Sequence, residues 1–449
     1  MKRIIDHFLL QWKGDSLRKP LLLRGARQVG KTYSIRQLGK SYSDFVEINL
    51  EVQTQAQAIF DKDLDPHRII REFSLIAHKP ITPGKTLLFL DEIQAVPQAI
   101  TALRYFYEMI PELHVIAAGS LLDFALLQVG MPVGRVESLY MHPLSFIEYL
   151  AATGETLIIK EILNHDINQE MSSFIHNRLL ELLAEYYALG GMPHVVQDWV
   201  DKKDPLRCNR IHSTLLRGYR QDFGKYARKL QVKYVELVFE HIPLQLGRKF
   251  KYSLIEGDYR KRELAPALDL LVTAGIAHKV FYSGGQGIPL GAQIDPQDYK
   301  IIFLDAGLAQ ALLGLDVAGW FLQPHQEFVN KGSLVEAFVG QEMLVYDNPY
   351  DKNNAYYWHK ESVSGQAEID YLTQIEGAVI PIEVKSGMGK HLKSLQAFLE
   401  SHTKSPFGIR FSTHNYSYYQ NIHSYPLYAV AQFMSRKNQD IAQAIEKLL

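Results

Sequence analysis

Residues Gly25-Ala26-Arg27-Gln28-Val29-Gly30-Lys31-Thr32 read G-x-x-x-x-G-K-T, directly after the apolar run Leu21-Leu22-Leu23. No other stretch restricts the fold as tightly. The pattern needs a buried strand feeding a tight loop and a helix leaving it. Leu21 to Arg24 supplies the strand, and Tyr33-Ser34-Ile35-Arg36-Gln37-Leu38 reads as the helix. Gly25 and Gly30 let the loop curl, so that the backbone of Arg27, Gln28 and Val29 can face phosphate oxygens while the helix N-terminus adds partial positive charge. Lys31 would reach the β- and γ-phosphates, and the Thr32 hydroxyl would hold Mg²⁺. The bland alternative is a Gly-rich turn carrying a solvated lysine.

A second signature follows. Thr86-Leu87-Leu88-Phe89-Leu90-Asp91-Glu92 is an apolar run ending in two acids, as expected of a strand buried on both faces of a parallel sheet. Acids at its C-terminal end fall where ligands bind in open α/β sheets. Asp91 is the candidate Mg²⁺ residue and Glu92 the candidate for polarising an attacking water; the alternative is an ordinary helix start. Phe45 to Leu50 and His114 to Ser120 read as further strands, the latter ending at Ser120, either a γ-phosphate contact or a plain turn. Arg135 precedes a strand-like Val136 to Met141 and could stabilise transition-state charge, in cis or from a neighbouring subunit. The guanine-specific Asn-Lys-x-Asp is absent, Asn330-Lys331-Gly332-Ser333 lacking its acid, which favours ATP.

Together with Leu90-Asp91-Glu92-Ile93-Gln94, Ala118-Gly119-Ser120 and Pro143-Leu144-Ser145-Phe146-Ile147-Glu148-Tyr149, the loop resembles a large prokaryotic family of AAA-type (AAA+ superfamily) ATPases with a C-terminal region of uncharacterised function. The resemblance extends to Gly190-Gly191-Met192-Pro193, to Tyr219 and Asp222, and to Gly332–Gln341. It implies ATP, Mg²⁺ and a cytoplasmic prokaryotic protein. It also implies a sensor role for Ser120 and a catalytic role for Arg135. It supplies no reaction for the C-terminal half.

The 449 residues suggest about three domains. A formal net charge of −1 gives the whole chain no attraction for polyanions, so any nucleic-acid surface must be local. The single cysteine, Cys208, excludes an intramolecular disulfide and a multi-cysteine zinc site. Apolar runs fall short of the roughly 18 residues a membrane span requires, and the N-terminus lacks the pattern of a signal peptide. Ile4 to Trp12 reads as an amphipathic helix beside the first strand.

Four segments are expected. Residues 1–150 form the ATPase core, and 151–230 a helical lid and connector containing a helix from Phe174 to Ala188 and a stop at Gly190–Pro193. Residues 231–330 read as winged-helix-like: a helix ending near Leu246, a second docked by Tyr252-Ser253-Leu254-Ile255, a third from Lys261 to Ala274, and wing strands at 277–282 and 300–304 around Gly284-Gly285. Residues 201–262 carry 16 Lys and Arg against 7 Asp and Glu, and Arg260-Lys261-Arg262 opens the third helix, where such modules contact nucleic acid. An ordinary core helix, or a protein-docking module, fits the same residues.

Residues 331–449 place Glu336 on a helix, Asp370 on a strand, and Glu383 and Lys385 on a following strand. This order resembles the restriction-endonuclease-like, PD-(D/E)xK, superfamily. Glu336, Asp370 and Glu383 can act as hard oxygen ligands to Mg²⁺ or Mn²⁺, with Lys385 orienting water on the same strand face. Against cleavage, this segment has 11 Lys and Arg for 12 Asp and Glu. The fold class expected is therefore α/β: a P-loop parallel sheet with a helical lid, a winged-helix-like middle and a restriction-endonuclease-like end. The function expected is an Mg²⁺-dependent ATPase whose nucleotide state controls the C-terminal region, with DNA, a protein partner and a homo-oligomer as candidate partners. The alternative is an ATP-dependent switch with a catalytically inactive nuclease-fold tail.

Overall fold

The computed structural model describes residues 1–228, 231–315, 317–352, 354–362, 365–387 and 392–449. Two sheets organise it. The first contains β1 (Leu21–Arg24), β2 (Asp44–Asn49), β3 (Thr86–Asp91), β4 (His114–Ala118) and β5 (Glu137–Tyr140), all parallel, in the order β2-β3-β4-β1-β5. Strands β1, β3 and β4 are apolar because both faces are covered. Leu21, Leu23, Leu87 and Phe89 enter one core, while Leu22, Leu88 and Leu90 enter the other. Helix α1 (Ile4–Gly14) and helix α2 (Lys31–Gly39) contribute to the first of these cores, and helices Pro66–Ala77 and Pro97–Met109 to the second.

A helical layer follows: Phe146–Ala152, Thr156–Asn164, Ser173–Leu189, Pro193–Lys202 and α3 (Pro205–Tyr226). The Gly190–Pro193 stop ends one helix and starts the next, Pro193 taking the first-turn position that tolerates a missing N–H.

The second sheet has eight strands in the order β12-β13-β11-β10-β9-β8-β6-β7. They are β6 (Ala277–Ser283), β7 (Ile294–Phe303), β8 (Ala355–Ser362), β9 (Gly365–Ile375), β10 (Ala378–Lys385), β11 (Gly408–Ser412), β12 (Ser417–Tyr419) and β13 (Ile422–Pro426). Before β6 comes α4 (Lys261–Thr273), and α5 (Gly332–Val345) crosses between β7 and β8. Two expectations for the middle segment differ from this arrangement. The second winged-helix helix is a single 3₁₀ turn, Tyr252–Leu254, flanked by Gly247 and Gly257 in positive φ. The wing hairpin is no free-standing wing either, because β6 pairs in parallel with β8, Val280 opposite Ala355. The sheet thus runs across the division expected at residue 330. The core on one face of the first sheet continues through the helical layer into the second sheet.

Candidate functional site

The loop after β1 is held from three sides. Gly25 has φ +139, and a Cβ there would lie 2.1 Å from the Met141 carbonyl oxygen, so only glycine fits. Gln28 and Gly30 also have positive φ, 63° and 106°; for Gln28 this is a sparsely populated state that the surroundings must impose. From just before α1, Arg3 donates through Nη1 to the Val29 carbonyl at 2.9 Å, while its Nε pairs with Glu148 Oε1 at 2.9 Å. Glu148 thereby fixes the arginine that fixes the loop. From α3, the Tyr219 hydroxyl donates to the Arg27 carbonyl at 2.6 Å, and Asp222 forms an ion pair with the Arg27 guanidinium. The turn after α4 lies close against the loop: a Cβ at Gly275 would stand 3.3 Å from Ala26 N, nearer than ordinary van der Waals contact.

Lys31 begins α2 and folds back, donating to the Gly25 and Ala26 carbonyls at 2.7 and 2.8 Å. Burial pulls its ammonium down to about 8, with Glu92 and Asp91 opposing. The Thr32 hydroxyl lies 3.5 Å from Asp91 Oδ2. Burial, and then the Glu92 charge, push the Asp91 carboxyl up to about 6. A hydroxyl beside a carboxylate of raised proton affinity is a hard-oxygen set, and it fits Mg²⁺. Glu92 sits just beyond β3 with φ 49°. Its Oε2 accepts from Gln94 Nε2 at 2.6 Å and from the Ser120 backbone N–H at 3.3 Å. Since β4 lies between β3 and β1, Ser120 at its end stands between the acids and the loop.

Arg135 is elsewhere. It precedes β5, whose Glu137 pairs with Leu21 at the start of β1. The four residues of β1, about 13 Å of strand, separate that edge from the loop. Its Nε lies 3.2 Å from Glu108 Oε1, and the side chain is about half exposed. Within one chain it is not brought to the loop.

The C-terminal candidates gather on the second sheet, in an unexpected pairing. The Lys300 ammonium on β7 lies 2.8 Å from Glu336 Oε1 and 3.6 Å from Asp370 Oδ1, and also pairs with Glu368. Its side chain is 3% exposed. Burial and the neighbouring Asp370 push the Glu336 carboxyl up, with Lys300 opposing. Asp370 Oδ2 accepts from the Val384 N–H at 2.7 Å. Glu383 instead pairs with Lys385, Oε1 to Nζ 2.6 Å, and among the described residues its buried Oε2 has no hydrogen-bond partner. Beside it on β11, in register with Glu383, is the buried Arg410, whose Nε likewise has no partner among the described residues. Glu336, Asp370 and Glu383 therefore do not close on one divalent ion. Among the described residues no group of three or more His, Cys, Asp or Glu side chains is disposed to hold a metal. The expected nuclease-type metal does not fit this arrangement.

Arg3, Gln94, Lys300 and Arg410 carry roles that the sequence pattern did not assign. The only sequence signal for Gln94 and Glu148 is their place in the segments Leu90–Gln94 and Pro143–Tyr149, and Lys300 falls in an expected wing strand.

Residues 17–150 contain the parallel sheet and loop of a P-loop nucleoside triphosphatase fold. A family model described as an AAA domain matches those residues, and two described as domains of unknown function, DUF8612 and DUF4143, match 180–318 and 331–430. Curated proteins give no match. Among solved structures, the chain is similar to the Walker-type ATPase PABY2304 of Pyrococcus abyssi. That pair has 15% identity and a TM-score of 0.42, covering 69% of this chain and 95% of the other. It is also similar to the ORC2 protein of Aeropyrum pernix in ADPNP–ADP complexes, with 10% identity, a TM-score of 0.32, and coverage of 70% and 90%. A third is the Hsp104–ADP complex of S. cerevisiae, with 14% identity, a TM-score of 0.27, and coverage of 76% and 43%. No described helix is long and apolar enough to cross a membrane.

Proposed function

We propose that the chain is an ATP-hydrolysing switch in which nucleotide occupancy of the P-loop is passed to the C-terminal half. The observation that carries this reading is the double hold on Arg27: its carbonyl by Tyr219 and its guanidinium by Asp222, both from α3. A loop that tightens on phosphate pulls on that helix, and through Ala26 on the Gly275 turn that leads into β6. Differential contact with the two states is what makes a ligand a switch.

In this reading the backbone of Gly25 to Gly30, with Arg27, Gln28 and Val29 between them, wraps the phosphates, and Lys31 leaves the two carbonyls to pair with the β- and γ-oxygens. Thr32 and Asp91 would hold Mg²⁺, which neutralises phosphate charge when bound. Glu92, oriented by Gln94, aligns and polarises the water. Ser120 reads the γ-phosphate. Arg135, being at the end of its own sheet opposite the loop, acts on a neighbouring subunit's nucleotide, so turnover requires at least a dimer.

The responding half is read as a winged-helix-like and nuclease-fold region, divided from the lid near residue 231, that binds a partner without cutting it. The exposed Arg260, Lys261 and Arg262 at the start of α4 favour a nucleic-acid backbone as that partner. The test is an ATPase assay with two variants: Lys31→Ala is expected to lose ATP binding, and Glu92→Gln to bind ATP without turnover. Normal hydrolysis by Lys31→Ala refutes the reading.

A further inference from the structure

Lys300 stands where the order of acids along the chain calls for a divalent ion. Three carboxylates surround its nitrogen: Glu336 at 2.8 Å, Asp370 at 3.6 Å and Glu368 in direct contact. The Tyr357 ring, 5.2 Å away by its centroid, closes another side. These groups come from α5, β8 and β9, and the lysine comes from β7. The side chain is almost wholly buried, so this is no surface ion pair but a cation built into the interior of the site. A buried ammonium is tolerated only when carboxylates compensate it, and buried carboxylates only when a cation does. Each requirement is met here by the other. Mg²⁺ and Mn²⁺ need ligand oxygens near 2.1 Å and cannot share those oxygens with an ammonium already among them.

We propose that Lys300 is a resident cation that replaces the divalent metal of the carboxylate cluster, making this nuclease-like site metal-independent and unable to activate water through a metal. The remaining polar groups of the face agree. Glu383 is neutralised by Lys385 rather than drawn to Glu336, and Arg410 adds a further fixed positive charge beside it. With Lys300, Lys385 and Arg410 set against Glu336, Glu368, Asp370 and Glu383, the face approaches neutrality without any metal. The inference is independent of the ATPase reading and survives its failure.

The test uses the full-length chain without nucleotide, so that the P-loop does not recruit the ion. Mn²⁺ binding is followed by calorimetry and by electron paramagnetic resonance. The wild-type protein is expected to give the same isotherm as Glu336→Gln, because neither has a site there. Lys300→Met is expected to have a lower thermal midpoint than wild type, which Mn²⁺ raises again. It should also bind Mn²⁺ at least about tenfold more tightly than wild type. In Lys300→Met/Glu336→Gln the Mn²⁺ effect is lost. Wild-type Mn²⁺ binding that disappears in Glu336→Gln would overturn the proposal, and this comparison holds even where Lys300→Met does not fold. Mn²⁺-dependent plasmid cleavage by wild type that Glu383→Ala abolishes would overturn it as well, as would a folded Lys300→Met that gains no Mn²⁺ site.

Discussion

The hold of Tyr219 on the Arg27 carbonyl can be removed with one oxygen atom. Tyr219→Phe keeps the ring, which is buried against the helical layer, and deletes only the hydroxyl that donates at 2.6 Å. A hydrogen bond of this kind contributes about 1 kcal/mol net. Part of that energy holds Gln28 and Gly30 in left-handed conformations before any phosphate arrives. With the bond gone, the empty loop relaxes, and phosphate must rebuild the cradle. If the whole 1 kcal/mol is drawn from binding, the dissociation constant for a slowly hydrolysed ATP analogue rises about fivefold. Any part of it drawn from the fold instead lowers the nucleotide-free thermal midpoint, by about 1 °C per kcal/mol at this chain length. Calorimetric titration with Mg²⁺ and the analogue, beside a melt of the same sample, separates the two effects. A lowered midpoint with unchanged affinity refutes the reasoning, since the bond would then hold the fold and not the loop.

Two other outcomes follow from the same geometry. Arg135→Ala should bind ATP normally but hydrolyse it about a thousandfold more slowly, and mixing it with Lys31→Ala should restore turnover in a steady-state assay, since one variant supplies the loop and the other the arginine; no recovery counts against action between subunits. Mg·ATP affinity should be flat between about pH 6 and pH 8 and fall outside that window. Below it, Asp91 must give up a proton before holding the ion; above it, Lys31 must take one up before pairing with phosphate. Titration in buffers of different ionisation enthalpy should show proton release near pH 5.5 and uptake near pH 8.5.

The loop, the strand acids and the parallel sheet were legible because each is local: a few consecutive residues carry both the element and its chemistry. The strand at 86–91 and the helix after the loop need no distant partner to be read. Lys300 was illegible for the opposite reason. Its meaning depends on β6 pairing with β8, which brings Val280 to Ala355, and neither strand carries a mark of its parallel neighbour. Arg3 is similar, since it acts on Val29 only because α1 packs against α2, the helix that leaves the loop. Arg135 could be noticed from its neighbours in sequence, but which end of the sheet it occupies depends on strand direction.

The sharing of one sheet by β6–β7 and by the strands after residue 355 bears on how the C-terminal half can be isolated. A fragment beginning at residue 331 would lose two strands and leave the long β8 with an unpaired edge, an invitation to intermolecular pairing. It would also leave Lys300 behind. Glu336, Glu368 and Asp370 would then face one another with nothing between them, and a cation from the buffer would fill the gap. Such a fragment would acquire a metal site that belongs to the cut and not to the protein.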